Sequence, residues 1–383
     1  MRYASAHLLA ICLALNSGCN AKFHRGVNQT WLVYAGAYST TTLNIFDLDP
    51  ATHTLTLNPV SPITLPDAPG TPSAFIQTRD RRFLIILERG MPSAVQTYAL
   101  DSTTGVLGPT PLTTYSVGAL IGNGASVSRQ VMALSKDETR LFLADSVTST
   151  VKSLAFNRDT GILTETGATP LYGYSTGIAV HPNGRWLYAA SPINSELLGA
   201  EIRDDGSLLP LGGSPYACGI KCKELAMSPG GGALVAASYD FNDTERVFSI
   251  DPTTGSLTLR TSVNVHYGDS IGILFYPGTQ LLAVAGLNYL YNVEEDASVS
   301  LATDFSAQNL CGLTAGLTNY VAASPDGVYL ACNNGPTGGK LAVLRYQGTG
   351  SAPTHVANSP TDLPTSGSLY FSAAFIKLLK PVP

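Results

Sequence analysis

The stretch TGIAVHPNGRWLYAASPINSELLGAEIRDDGSLL, residues Thr176–Leu209, decides how this chain folds. Thr176–Val180 is apolar and β-branched, His181-Pro182-Asn183-Gly184 is a tight turn, and Trp186–Ala190 is apolar again. A loop through Pro192 and Asn194 follows, then Leu197–Ile202, a turn at Asp204-Asp205-Gly206, and a last run from Leu208. Runs of about five apolar residues bounded by Pro, Asn, Gly and Asp predict four short strands joined by hairpins.

The same unit returns along the chain at intervals of roughly 40–55 residues, the period of a propeller blade. Its first turn recurs as Thr78-Arg79-Asp80, Ser135-Lys136-Asp137, Ser228-Pro229-Gly230, Tyr276-Pro277-Gly278 and Ser324-Pro325-Asp326-Gly327. Its second turn recurs as Asp49-Pro50-Ala51-Thr52, Asp101-Ser102-Thr103-Thr104-Gly105, Asn157-Arg158-Asp159-Thr160-Gly161 and Asp251-Pro252-Thr253-Thr254-Gly255, with degenerate copies at Glu295-Asp296 and Gln347-Gly348-Thr349-Gly350. Asp and Asn side chains bond their own backbone and Gly tolerates positive φ, so these residues close hairpins for a physical reason.

First strands are expected at Ser73–Gln77, Val131–Leu134, Gly177–Val180, Glu224–Met227, Gly272–Phe275 and Tyr320–Ala323. A further one, Tyr370–Ile376, ends the chain with no second strand after it, while Trp31–Ala35, Leu43–Leu48 and Thr54–Leu55 begin it with no first strand. The C-terminal strand therefore completes the N-terminal blade. The expectation is an all-β, seven-bladed β-propeller of four-stranded blades over residues 30–383, closed so that no sheet edge is left at the junction.

Composition agrees with one large all-β domain: of 383 residues only 13% are charged, and no segment carries sustained helical periodicity. A net charge of −5 with few Lys and Arg excludes nucleic acid as a partner, because phosphate binding needs a clustered basic face. At the N-terminus, Arg2 precedes the apolar run Leu8–Leu15 and then Asn16-Ser17-Gly18-Cys19. That run is too short to span a bilayer, so residues 1–19 are expected to be an export signal. Small residues before Cys19 resemble a bacterial lipobox, with Asn16 where an apolar residue is usual. Two routes stay open, a lipoprotein acylated on Cys19 with 20–29 as its tether, or simple secretion; either way the address is extracytoplasmic. The membrane is then a partner only through that anchor.

With Cys12 and Cys19 set aside, Cys218, Cys222, Cys311 and Cys332 remain, and in an exported chain they suggest disulfides. The spacings favour Cys218–Cys222 and Cys311–Cys332. No second Cys or His pair stands at ligand spacing from Cys218-x3-Cys222, so no metal and no cofactor is expected.

At its Ser-Pro-Asp-Gly and His-Pro-Asn-Gly turns, its Leu-Tyr-x-Ala strand and its Asp-x-x-Thr-Gly-x-Leu turn, the chain resembles the lactonase-type seven-bladed propellers, the family of 6-phosphogluconolactonase, and the broader YVTN-repeat surface propellers. The resemblance covers nearly everything after Thr30. Its implied channel residues can be checked singly. Where the family has Arg-His before the His-Pro strand, this chain has Thr176-Gly177; where it has a Glu, Pro192; where it has a His, Gln130 beside Arg129. Only the Arg ending the second blade's second strand is matched, by Arg89 next to Glu88. Opening a lactone needs a base and an oxyanion stabiliser together.

Other candidates come from the residues themselves. Gly173-Tyr174-Ser175-Thr176-Gly177 fits G-x-S-x-G, but it enters a strand with no helix following, so coincidence is the better reading. Asp240, Asn242, Asp243 and Glu245 read as a solvated acidic loop, since they lack the alternation and Gly of a calcium loop. His266 with Asp269 precedes a first strand and is the best His-based candidate for a general base, alongside Arg89 and Glu88. Arg129, Gln130, Lys223 and Glu224 should face the same channel mouth, able to bind an anionic or sugar-like ligand, or else to pair as rim charges. Two functions follow: a non-catalytic module binding such a ligand or a protein partner, or a lactone hydrolase with a rearranged site.

Overall fold

The computed structural model describes residues 31–377 apart from 38–39, 67, 69, 102, 118–130, 171–174, 239–243, 265–272, 285–288, 305–317, 335–339, 348–350, 352 and 363–370. Seven antiparallel sheets follow one another around a ring. From the innermost strand outward, blade 1 is Phe371–Lys377, Trp31–Ala37, Thr42–Asp49 and Thr54–Leu57; blade 2 is Gly70–Gln77, Phe83–Gly90, Ser93–Ala99 and Thr113–Val117. Blade 3 is Met132–Leu134, Arg140–Asp145, Thr150–Phe156 and Leu163–Pro170; blade 4 is Gly177–Val180, Trp186–Ser191, Glu196–Ile202 and Leu208–Pro210. Blade 5 is Cys222–Met227, Ala233–Ser238, Thr244–Ile250 and Leu257–Asn264; blade 6 is Ile273–Phe275, Leu281–Val284, Tyr289–Val293 and Val299–Asp304. Blade 7 is Thr318–Ala323, Tyr329–Asn334, Lys340–Arg345 and Thr354–His355. Each innermost strand neighbours the next around the axis, and the ring closes as expected: Trp31 pairs with Lys377 and Ala37 with Phe371.

The core lies in the seams between blades. Successive side chains of a strand point to opposite faces of its sheet, and here each face meets a neighbouring blade. In Phe83–Leu87, Phe83, Ile85 and Leu87 pack toward blade 3, while Leu84 and Ile86 pack toward blade 1. Both faces are covered, which is why the second strands read as unbroken apolar runs rather than alternating ones.

Antiparallel pairing puts the start of every innermost strand and the end of every second strand on one face, which we term the crossover face; the hairpin turns lie on the far face. The far face locks blade to blade. Gly255 takes a positive φ of 74° and a Cβ there would come within 2.7 Å of the Trp186 ring, so only Gly lets blade 5 close on blade 4. The Tyr188 hydroxyl donates to the Gly255 carbonyl at 2.6 Å, and Tyr34 donates to Gly105 between blades 1 and 2. His181 belongs to the same lock. Its Nδ1 accepts the Asn183 N–H at 3.0 Å, so Nε2–H donates to the Gly231 carbonyl at 2.9 Å, and burial lowers its pKa.

Three short strands have no counterpart in the sequence reading. In blades 1, 4 and 7 the outer strand breaks at a Ser-Pro pair, then pairs again as Ile63–Thr64, Tyr216–Ala217 and Thr361–Asp362. At each break the Ser hydroxyl replaces a ladder acceptor: Ser61, Ser214 and Ser359 take the N–H of Ile45, Gly199 and Val343 at 2.9, 3.0 and 2.7 Å.

Candidate functional site

Among the described residues three innermost strands shift register at the crossover face: in blade 7 one extra residue lies between Thr318 and Val321, and blades 2 and 5 bring charged residues beside theirs. In blade 2, Ser73 is the extra residue between Pro72 and Ala74; in blade 5, Lys223 is the extra residue between Cys222 and Glu224. A bulge bends its strand and re-aims the side chains beside it. The register then brings Glu88 opposite Pro72 and Arg89 opposite Thr71 in blade 2, and Glu224 opposite Ala237 in blade 5.

Three of these charges are buried rather than standing on an exposed rim: Glu88 is 0% exposed, and Lys223 and Glu224 are 1% exposed. Glu88 shares a strand side with Leu84 and Ile86, so its carboxyl enters the seam with blade 1 instead of lining the channel. Neither of its oxygens has a hydrogen-bond partner. Burial alone pushes its pKa up to about 8, leaving a neutral acid at pH 7. Arg89, by contrast, is only partly buried.

Blade 5 is held differently. The Thr176 hydroxyl of blade 4 donates to the Lys223 carbonyl at 2.9 Å. A Cβ on Gly177 would lie 2.5 Å from that carbonyl, so the position next to the bulge admits no side chain. Here, where the resemblance implies Arg-His, Thr176 bonds the bulge and Gly177 leaves it room. Glu245, expected in a solvated loop, is instead fully buried on the third strand, its Oε2 accepting the Ser238 N–H at 2.9 Å. It is in phase with Val247, and Glu224 with Ala226, both of which pack toward blade 6. In blade 3, buried Asp145 accepts the Val147 and Thr148 N–H groups at 2.9 and 3.2 Å and lies 3.6 Å from Lys152.

The cysteines correct one expectation. Cys218 and Cys222 are free, buried thiols, not a disulfide. The Cys222 thiol donates to the Glu196 carbonyl at 3.1 Å, and the Cys218 thiol is pushed up in pKa by its hydrogen bond with Cys222 and by burial. Cys332 is disulfide-bonded; Cys311 lies outside the described residues, as do Cys19, Arg129, Gln130, His266, Asp269, Asp240, Asn242 and Asp243. Ser175 is no nucleophile elbow: strand Gly177–Val180 follows it, and it is buried, lining with Ser191 a cavity of about 10 Å³. Among the described residues no cluster of His, Cys, Asp and Glu is arranged to hold a metal.

Comparison with known proteins adds the following. The family described as "Lactonase, 7-bladed beta-propeller" matches residues 129–272, the span of blades 3 to 5. The periplasmic gluconolactonase PpgL of Pseudomonas aeruginosa superposes with a TM-score of 0.68 at 15% identity, covering 91% of this chain and 99% of its own. A putative 6-phosphogluconolactonase from Bacteroides fragilis superposes at 0.65 and 16% identity, covering 90% and 98%. A protein from Lactobacillus plantarum gives 0.67 at 14% identity, covering 91% and 99%. No curated protein matches the sequence.

Proposed function

We propose that this seven-bladed β-propeller, similar over residues 129–272 to the lactonase propellers, hydrolyses a small sugar-type lactone at the crossover face. One observation carries this reading. Among the described residues, five buried Asp, Glu and Lys side chains, Glu88, Asp145, Lys223, Glu224 and Glu245, stand at that end of their strands, against one, Glu138, on the far face. Burying charge is costly unless the charge is paired or put to use. Arg89, partly buried and matching the family's Arg, is the group to polarise the lactone carbonyl and hold the oxyanion. Glu224 is the candidate base for the attacking water, with Lys223 as the cation next to it in the bulge.

The test is a panel of gluconolactone, 6-phosphogluconolactone and homoserine lactone followed by proton release. Arg89→Ala is expected to cut turnover by about a hundredfold, the usual cost of one oxyanion donor; a folded wild-type protein that turns over none of the panel overturns the reading.

A second reading is a propeller that binds the same class of ligand, or a protein partner, without turnover. Thr176, Gly177 and Pro192, standing where the resemblance implies Arg, His and Glu, favour it. Measurable binding of gluconate with no hydrolysis selects it. Export through residues 1–19 belongs to either reading, in keeping with the periplasmic address of the Pseudomonas protein. For the anchored form, Cys19→Ser should release the protein from the membrane fraction.

A further inference from the structure

Cys218 and Cys222 lead into blade 5 at the crossover face, and the loop between them folds their thiols together. Gly219 takes a φ of 71°, which a side chain would oppose. The Cys218 N–H donates to the Ser195 carbonyl at 2.8 Å, and the Cys222 N–H reaches back to the Ile220 carbonyl at 2.7 Å. The thiols are then in hydrogen-bond contact: Cys218 donates to the Cys222 sulfur, whose own S–H goes to the Glu196 carbonyl at 3.1 Å. Two further groups act on the Cys218 sulfur, and both favour a thiolate over a thiol: the Ile220 N–H and the positive charge of Arg246. Arg246 is held there by hydrogen bonds from Nε to the Cys218 carbonyl at 3.3 Å and from its guanidinium to the Ser262 hydroxyl at 2.5 Å. The bond to Cys222 and burial outweigh both, so Cys218 keeps its proton until something replaces it.

We propose that Cys218 and Cys222 form a two-coordinate site for a soft monovalent metal ion, copper(I). On binding, each thiol gives its proton to solvent and each sulfur forms one bond to the ion, so that M⁺ and two S–H become S–M–S⁻ and two H⁺. Thiolates are the ligands that select soft copper(I), and the single negative charge left in the site is met by Arg246. Zinc wants a fuller, tetrahedral shell, and among the described residues no group of three or more His, Cys, Asp and Glu is arranged to supply one. Metal–thiolate bonds of about 2.3 Å bridge two sulfurs already in contact with little movement of either side chain. Gly219 and Lys221, between the cysteines, are exposed, so the ion has only this surface loop to cross. The site stands apart from the lactone reading and does not depend on it.

The test is an anaerobic titration of copper(I), without reductant, into the full chain carrying Cys12→Ser and Cys19→Ser, so that the signal comes from the propeller. Uptake is read against a chromogenic copper(I) chelator and by the ultraviolet thiolate-to-copper band. One ion per chain is expected. C218S and C222S, each checked for folding by its melting temperature, should abolish that uptake. R246Q removes no ligand and should weaken binding by about 10–100-fold, the usual cost of a group that supports metal ligands from behind. Zinc offered in equal amount should leave the copper in place. No uptake by the parent chain, uptake that survives in C218S or C222S, or displacement by zinc overturns the site. Should the cysteine variants not fold, R246Q decides: an affinity equal to the parent's overturns the site as well.

Discussion

Blades 2 and 5 use one device and reach opposite electrostatic outcomes. Each bulges its innermost strand at the crossover face, by Ser73 in one and Lys223 in the other, and each buries acid beside the bulge. In blade 5 the surroundings are polar and engaged: Glu245 takes the Ser238 N–H, and Thr176 reaches across from blade 4 to the Lys223 carbonyl. In blade 2 the seam is built from Leu84, Ile86 and their apolar partners, and Glu88 meets no donor. An acid in such a place lowers its cost by keeping its proton. The difference teaches that burial by itself does not make a charged site; the partners supplied by the next blade decide whether the group stays ionised.

The comparison can be broken at several points. The largest effect is expected from Glu88→Met in blade 2. Because its pKa is about 8 in the fold against 4.5 unfolded, the folded state binds the proton more tightly. Its contribution is full below about pH 4.5 and is lost as pH rises toward 8. Glu88→Met should remove that slope and gain about 3 kcal/mol over wild type at pH 8. Chemical denaturation at pH 5 and pH 8 checks it, and an unchanged slope means Glu88 is ionised and partnered after all. Next comes Gly177→Ala in blade 4, which forces the blade 5 bulge out of place and should cost about 2 kcal/mol, read by thermal melting. A variant as stable as wild type would show that the bulge is free to move. Tyr188→Phe, which deletes one interblade hydrogen bond far from either bulge, should cost about 1 kcal/mol and leave both pH profiles intact. The smallest effect is chemical: alkylation in denaturant without reductant should label Cys218 and Cys222 and spare Cys332, and protection of the first two would restore the disulfide.

Much of this is legible in residues. The Asp-Pro-Thr-Thr-Gly and Ser-Pro-Asp-Gly turns mark the hairpins because their side chains and positive φ act locally. The unpartnered strands at Trp31 and Phe371 announce each other because a sheet edge needs cover. Glu245 is also legible in retrospect: it alternates in phase with Val247, a buried position, and reading it as loop weighed its charge above its phase. The bulges at Ser73 and Lys223 are not legible, since an extra residue in a strand leaves no mark on composition. Nor is the Cys218–Cys222 outcome, because a short spacing brings two thiols near without saying what each will bond.

The sequence by itself determined the number of blades, the hairpins and the closure, since each follows from periodicity and turn chemistry acting over a few residues. Only the tertiary structure decided which charges are buried and what the neighbouring blade offers them. Those depend on what the adjacent blade brings to the seam, and that neighbour lies tens of residues away in the chain, where no local pattern reaches.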